Sequence, residues 1–151
     1  YAIEPLPAFI EALKLTFSNL DNVEIIPCAV SSKAGESFIG ERDLSSSLTE
    51  HENRNGHKIR VDTLDNLFFQ RGIPVSYIKA DLEGHDFEAI KGANSIIRKY
   101  SPKIAITAYH NAQHSKQISD FITGINPNYK IKTKGIYQET GAPVMLHAWC
   151  D

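Results

Sequence analysis

Apolar residues at Phe9, Leu13, Phe17 and Leu20, with Ile10 beside them, recur at the spacing of one helix face and predict an amphipathic helix over 6–19. Pro5 suits the first turn of that helix, where a missing N–H costs nothing. Ahead of it, Tyr1-Ala2-Ile3 reads as the end of a strand. Residues 23–30 are apolar nearly throughout, the pattern of a strand buried on both faces. Ser31 to Gly35 then turn the chain into a short strand at 36–40. Ile59-Arg60-Val61 predicts the next strand. Leu64, Leu67 and Phe68 predict a helix, capped by Asp62 or Thr63 and ended by Gly72. The strand at 75–80 runs into Asp81-Leu82-Glu83-Gly84. A helix follows with Phe87, Ile90, Ile97 and Tyr100 on its apolar face, kinked at Gly92 and stopped by Pro102. Residues 104–109 are another buried strand, and Ser115 caps a helix carrying Ile118, Phe121 and Ile122. Strands at 129–133 and 144–149 close the chain, most simply as an antiparallel pair.

Strands alternating with helices predict an α/β sheet with right-handed crossovers and that antiparallel pair at one edge. The 151 residues suit a single domain over 1–151, and a hydrophobic share of 42% is enough to build its core. Charge adds an exclusion. Sixteen Lys+Arg against 18 Asp+Glu leave a net charge of −2, without the basic excess that a nucleic-acid or anionic-membrane binder needs. No apolar run approaches the ~18–20 residues of a membrane-spanning helix. Two cysteines, Cys28 and Cys150, make neither a disulfide framework nor a four-ligand zinc site, which suits a reduced, cytoplasmic setting. Residues 41–57 are polar and aperiodic, and a loop this long in a compact domain is functional or disordered.

Ligands of open α/β sheets bind at the carboxyl ends of the strands. The polar residues expected there are Glu4, Ser31, Asp81 with Glu83, and Tyr109-His110. Glu4 precedes a helix. It either accepts hydrogen bonds from the two hydroxyls of a nucleotide ribose or answers the positive end of the helix. Asp81 and Glu83, two apart on an extended backbone, share a face. They hold a hard cation such as Mg²⁺, act as a base, or merely cap the next helix together with Asp86. His110 is a candidate general base on the same rim, or a histidine bonded to loop backbone. His51, His57 and His114 fall in polar stretches and read as solvated. Cys28, Met145 and Trp149 read as packing.

The run from Tyr77 to Ala93, Tyr-Ile-Lys-Ala-Asp-Leu-Glu-Gly-His-Asp-Phe-Glu-Ala-Ile-Lys-Gly-Ala, resembles the signature of FkbM-type S-adenosylmethionine-dependent methyltransferases. Ala2-Ile3-Glu4-Pro5, the segment from Asn22 to Ser31, Val61-Asp62-Thr63-Leu64-Asp65, Tyr109-His110 and Glu139-Thr140 resemble further landmarks of that family in the same order. The resemblance covers nearly the whole chain. It implies a Rossmann-like class I methyltransferase sheet, mostly parallel with an antiparallel last strand. It assigns Glu4 to the ribose of S-adenosyl-L-methionine, Ala29, Val30 and Ser31 to the neighbourhood of the adenine, and Asp81, Glu83 and His110 to the methyl group and acceptor. No counterpart of the family's first strand and glycine-rich turn is present, so the chain is expected to start at the second strand. A neighbouring strand would then lie exposed, and a homo-oligomer is expected to pair across it.

The usual reaction of that family, O-methylation of a sugar or other hydroxyl-bearing metabolite, sets the expected function. His110 would take the hydroxyl proton, or a cation on Asp81 and Glu83 would acidify it. Ser46 and Ser47 would belong to a substrate-recognition lid, or to a disordered insertion. Two rivals stand beside this reading. A nicotinamide-dependent oxidoreductase would require G-x-G-x-x-G upstream. A non-catalytic α/β binding domain would share the fold without turnover.

Overall fold

The computed structural model describes residues 1–40, 48–49 and 56–151. The elements run β1 (Ala2–Ile3), α1 (Pro7–Thr16), β2 (Ile25–Ile26), β3 (Ala29–Val30), β4 (Gly35–Gly40), β5 (Leu48–Thr49) and β6 (Gly56–Asp62). A single π-helical turn (Asp65–Phe69) leads to β7 (Tyr77–Ala80), α2 (Asp86–Lys91), α3 (Asn94–Tyr100), β8 (Lys103–Thr107), α4 (His114–Ile125), β9 (Lys130–Ile136) and β10 (Pro143–Trp149). The strands form three ladders: β1–β2, β7–β8–β10–β9 and β3–β6–β4–β5. β1 with β2, β3 with β6 and β7 with β8 are parallel. β10 runs antiparallel to both β8 and β9, as the last two apolar segments predict. Antiparallel pairing also reaches β4, which lies against β6 and β5.

The core explains why these segments settle as they do. Ile90, Ile96, Ile97, Ile118 and Ile122 from the helices meet Ile104, Ile106 and Leu146 from β8 and β10, all fully buried. Each such side chain contributes ~1.5–3 kcal/mol by leaving water, and together they pin α2, α3 and α4 to the central ladder. The carboxyl ends of β7 and β8 are thereby fixed relative to one another. α1 is different: it buries no residue, and Leu15 is left 78% exposed.

Several expectations change in detail. The strand predicted over 23–30 is two short strands in different ladders, because Pro27 between them has no N–H to donate. The helix predicted after Thr63 is the π-helical turn, and Asp65 at its start spends its carboxylate on the next helix. Asp65 Oδ2 and Oδ1 accept from the N–H groups of Ser95 and Ile96 at 2.8 and 2.9 Å, capping α3. The helix predicted from Phe87 to Tyr100 is broken into α2 and α3 at Gly92. His57 lies in β6 rather than in a polar loop. His114 is buried, not solvated, because it opens α4 and faces Phe87 at 6.5 Å between ring centroids.

Position 92 is glycine for a steric reason. A Cβ there would meet the backbone carbonyl oxygen of Ser31 at 2.2 Å, and a backbone atom cannot swing aside. The close approach ties the end of β3 to the end of α2. The Ser32 hydroxyl, donating to Glu88 Oε2 at 2.5 Å, makes a second tie. Gly92→Ala is expected to cost ~3 kcal/mol or more by overpacking, read as a fall in the denaturant midpoint at unchanged slope.

β1 and β7 each pair on one side only among the described residues. Between them lies a cavity of about 400 Å³, floored by Ile3, Val30, Phe68, Ile78 and Ile90.

Candidate functional site

The acidic loop after β7 is built by one carboxylate. Asp86, at the start of α2 and completely buried, accepts from the N–H groups of Leu82 at 3.1 Å and Gly84 at 3.2 Å. Thr107, at the end of β8, donates its hydroxyl to Asp86 Oδ1 at 2.7 Å. These bonds hold Asp81-Leu82-Glu83-Gly84 in a tight bend. Gly84 takes a φ of +96°, open to glycine, and Glu83 takes +49°, a left-handed conformation costing a non-glycine residue about 1–2 kcal/mol. The bend turns Asp81 and Glu83 toward His110.

His110 is the meeting point of the rim. Its Nδ1 lies 3.3 Å from Asp86 Oδ2, and its Nε2 lies 3.2 Å from Glu83 Oε2 and 4.0 Å from Asp81 Oδ1. Only 12% of its side chain is exposed. Both ring nitrogens are buried, and neither makes a hydrogen bond of good geometry. Among the described residues no lysine or arginine pairs with any of the three acids. Their negative field shows on Tyr109, whose phenol is pushed above its ordinary value by burial and then by Asp81, Glu83 and Asp86. The Tyr109 ring stacks on His110 at 4.0 Å and on Tyr137 at 4.9 Å, continuing the rim as an aromatic wall.

Beside this cluster opens a cavity of about 160 Å³ at the carboxyl ends of β1, β3 and β7. Glu4, Ala29, Val30, Asp81 and Glu83 all line it, with Leu6 and Phe9 on the α1 side. Ile3, Val30 and Leu82 also line the larger cavity between β1 and β7, so the two adjoin. Glu4 divides its carboxylate: Oε1 accepts from the Leu6 N–H at 2.8 Å, and Oε2 has no partner among the described residues. The bond to Leu6 is the helix-start role. Ser31 does not line the cavity; its carbonyl abuts Gly92 instead. His110 stands behind Glu83, outside the cavity lining. Ser46 and Ser47 lie outside the described residues.

A family model described as the methyltransferase FkbM domain matches residues 1–130. The chain belongs to the FkbM methyltransferase domain family. The FkbM methyltransferase of Methylobacillus flagellatus KT has a solved structure with the same fold, at a TM-score of 0.72 and 20% sequence identity. The match covers 97% of this chain and 35% of that one, so the chain spans about a third of that protein's length. Among curated proteins none matches it. No helix among the described residues is long and apolar enough to cross a membrane.

Three residues of this FkbM domain's rim escape a reading by motif. Asp86 looks like an ordinary first-turn acid of a helix, Thr107 like a core strand residue, and Tyr137 like part of the loop between the last two strands. Only the fold gathers them at His110 and Tyr109. An acid two residues beyond a Glu-Gly bend was the available signal, since a buried helix start needs an acceptor for its free N–H groups.

Proposed function

We propose that this FkbM domain serves an S-adenosylmethionine-dependent methyltransferase that acts on a hydroxyl-bearing, sugar-like acceptor. The observation that carries the reading is the single cavity on which Glu4 and the Asp81–Glu83 pair both open. An acid at the end of a parallel strand, with one oxygen unpartnered among the described residues, suits the paired hydroxyls of a ribose. Buried Ala29 and Val30 beside it offer the apolar surface that an adenine needs.

S-adenosylmethionine would supply a methyl group on a sulfonium sulfur. The chain's own task is to orient the acceptor oxygen in line with that methyl and to remove the hydroxyl proton. Transfer would exchange an S–C bond of the cofactor for the acceptor's new C–O bond, with the electron pair left on sulfur. The proton goes to the Asp81–Glu83–His110 cluster. Holding the acceptor in place and excluding water account for most of the rate gain in such displacements. Tyr109 and Tyr137 provide a flat face on which a sugar ring can lie.

Calorimetric titration of the polypeptide carrying this domain with S-adenosylhomocysteine tests the reading. Glu4→Gln keeps an acceptor for the Leu6 N–H but removes the charge. It is expected to weaken binding ~10–100-fold, the equivalent of charge-assisted hydrogen bonds worth ~1.5–3 kcal/mol. Unchanged affinity in that variant would remove Glu4 from the cofactor site, and no binding by the parent protein would overturn the proposal.

A further inference from the structure

The arrangement around His110 has a charge problem that the loop geometry does not solve. Nδ1 lies toward the Asp86 carboxylate, and a ring whose proton sits on that nitrogen presents a lone pair at Nε2. Nε2 faces oxygens of Glu83 and Asp81. The Thr107 hydroxyl lies 3.1 Å from Asp81 Oδ1, but its one proton serves the shorter bond to Asp86. Three potential ligand atoms therefore converge, with no lysine or arginine between them among the described residues. The ligand atoms of Asp81, Glu83 and His110 all lie within 4.8 Å of one another. In octahedral coordination, metal–ligand bonds of about 2.1 Å separate neighbouring donors by ~3.0 Å and opposite ones by ~4.2 Å, and the 3.2 and 4.0 Å distances from Nε2 fall within that span.

We propose that Asp81, Glu83 and His110 form a binding site for a divalent first-row transition ion, with Asp86 as the outer carboxylate that orients the imidazole. An imidazole with a metal on one side and a carboxylate on the other is a recurrent metal-site pattern, in which the outer partner fixes the ring and its tautomer. The imidazole also alters which ion fits. Carboxylates suit Mg²⁺ and Mn²⁺, whereas an added nitrogen ligand favours first-row ions over Mg²⁺, Zn²⁺ more strongly than Mn²⁺. Three protein ligands leave coordination positions open, as catalytic metal sites do. A hydroxyl placed there would ionise more readily, which is the role this site takes if the methyl-transfer reading holds. The site itself rests on the side-chain geometry and does not depend on that reading.

Mn²⁺ titration followed by electron paramagnetic resonance, with calorimetry for Mg²⁺, decides the matter on the polypeptide carrying this domain. One equivalent of Mn²⁺ is expected to bind, at least tenfold more tightly than Mg²⁺. Glu83→Gln and His110→Ala should each weaken it tenfold or more, and Asp86→Asn ~10–100-fold. Glu83 is partly exposed, so its variant keeps the fold, which a thermal melt checks. Absence of Mn²⁺ binding, equal affinity for Mg²⁺, or Mn²⁺ binding unaltered in both Glu83→Gln and His110→Ala would overturn the site and leave a proton on Nε2 as the occupant. Mn²⁺ binding without S-adenosylhomocysteine binding would uphold the site and overturn the methyl-transfer reading; the reverse result would do the opposite.

Discussion

Replacing His110 by alanine is expected to lower methyl transfer to a hydroxyl acceptor by ~10²–10⁴-fold, the range for loss of a group that takes the hydroxyl proton itself or holds the ion that acidifies it. Affinity for S-adenosylhomocysteine should stay within about twofold. The asymmetry follows from placement. His110 stands behind Glu83 and contributes nothing to the lining of the cavity that Glu4 shares with Ala29 and Val30. Its contacts run to the three acids and to Tyr109. Steady-state turnover measured beside calorimetric affinity separates the two effects. A variant that loses affinity and turnover in parallel would show that His110 supports the cofactor cavity, and one that keeps turnover would remove it from the chemistry.

Asp86→Ala is expected to be the most damaging of the rim substitutions for stability. The change leaves the N–H groups of Leu82 and Gly84 without their acceptor in a partly buried loop, breaks the buried bond from the Thr107 hydroxyl, which has only the longer contact to Asp81 left, and opens a cavity at a fully buried position. Each abandoned polar group costs ~1–3 kcal/mol, so a loss of ~3–5 kcal/mol is expected. For a domain of this size that lowers Tm by roughly 10 °C, measurable by differential scanning calorimetry. Asp81→Ala supplies the contrast. Its side chain is 41% exposed and holds no part of the loop backbone, so Tm should move little. Equal effects of the two substitutions would contradict the view that Asp86 builds the loop.

Much of this arrangement is legible in the residues alone, because it depends on local pattern. The Asp81-Leu82-Glu83-Gly84 run after an apolar strand announces a bend into a helix. The apolar segments after Tyr129 announce the antiparallel pair. The parts that escape depend on partners distant in sequence. Asp86 and Thr107 are 21 residues apart and meet only because β7 and β8 pair in parallel. The need for glycine at position 92 is dictated by the Ser31 carbonyl, which no helical periodicity records. Pro27 did carry a signal against one continuous strand, since it cannot donate to a ladder. His114 misleads because its polar neighbours Asn111 and Gln113 read as loop, while its own ring turns inward onto Phe87.

The contact between Ser31 and Gly92 bears on how the cavity admits anything at all. It locks the wall carrying Ala29 and Val30 to the helix that follows the acidic loop, so those two walls move as one body. The opposite wall is mixed: Leu6, just before α1, is buried against Ala29, Ile39, Ile59 and Val61, whereas Phe9 belongs to a helix that itself buries no residue. Any loosening of the cavity is therefore confined to the Phe9 side, since Leu6 anchors the chain ahead of the helix and Asp86 holds the acidic loop.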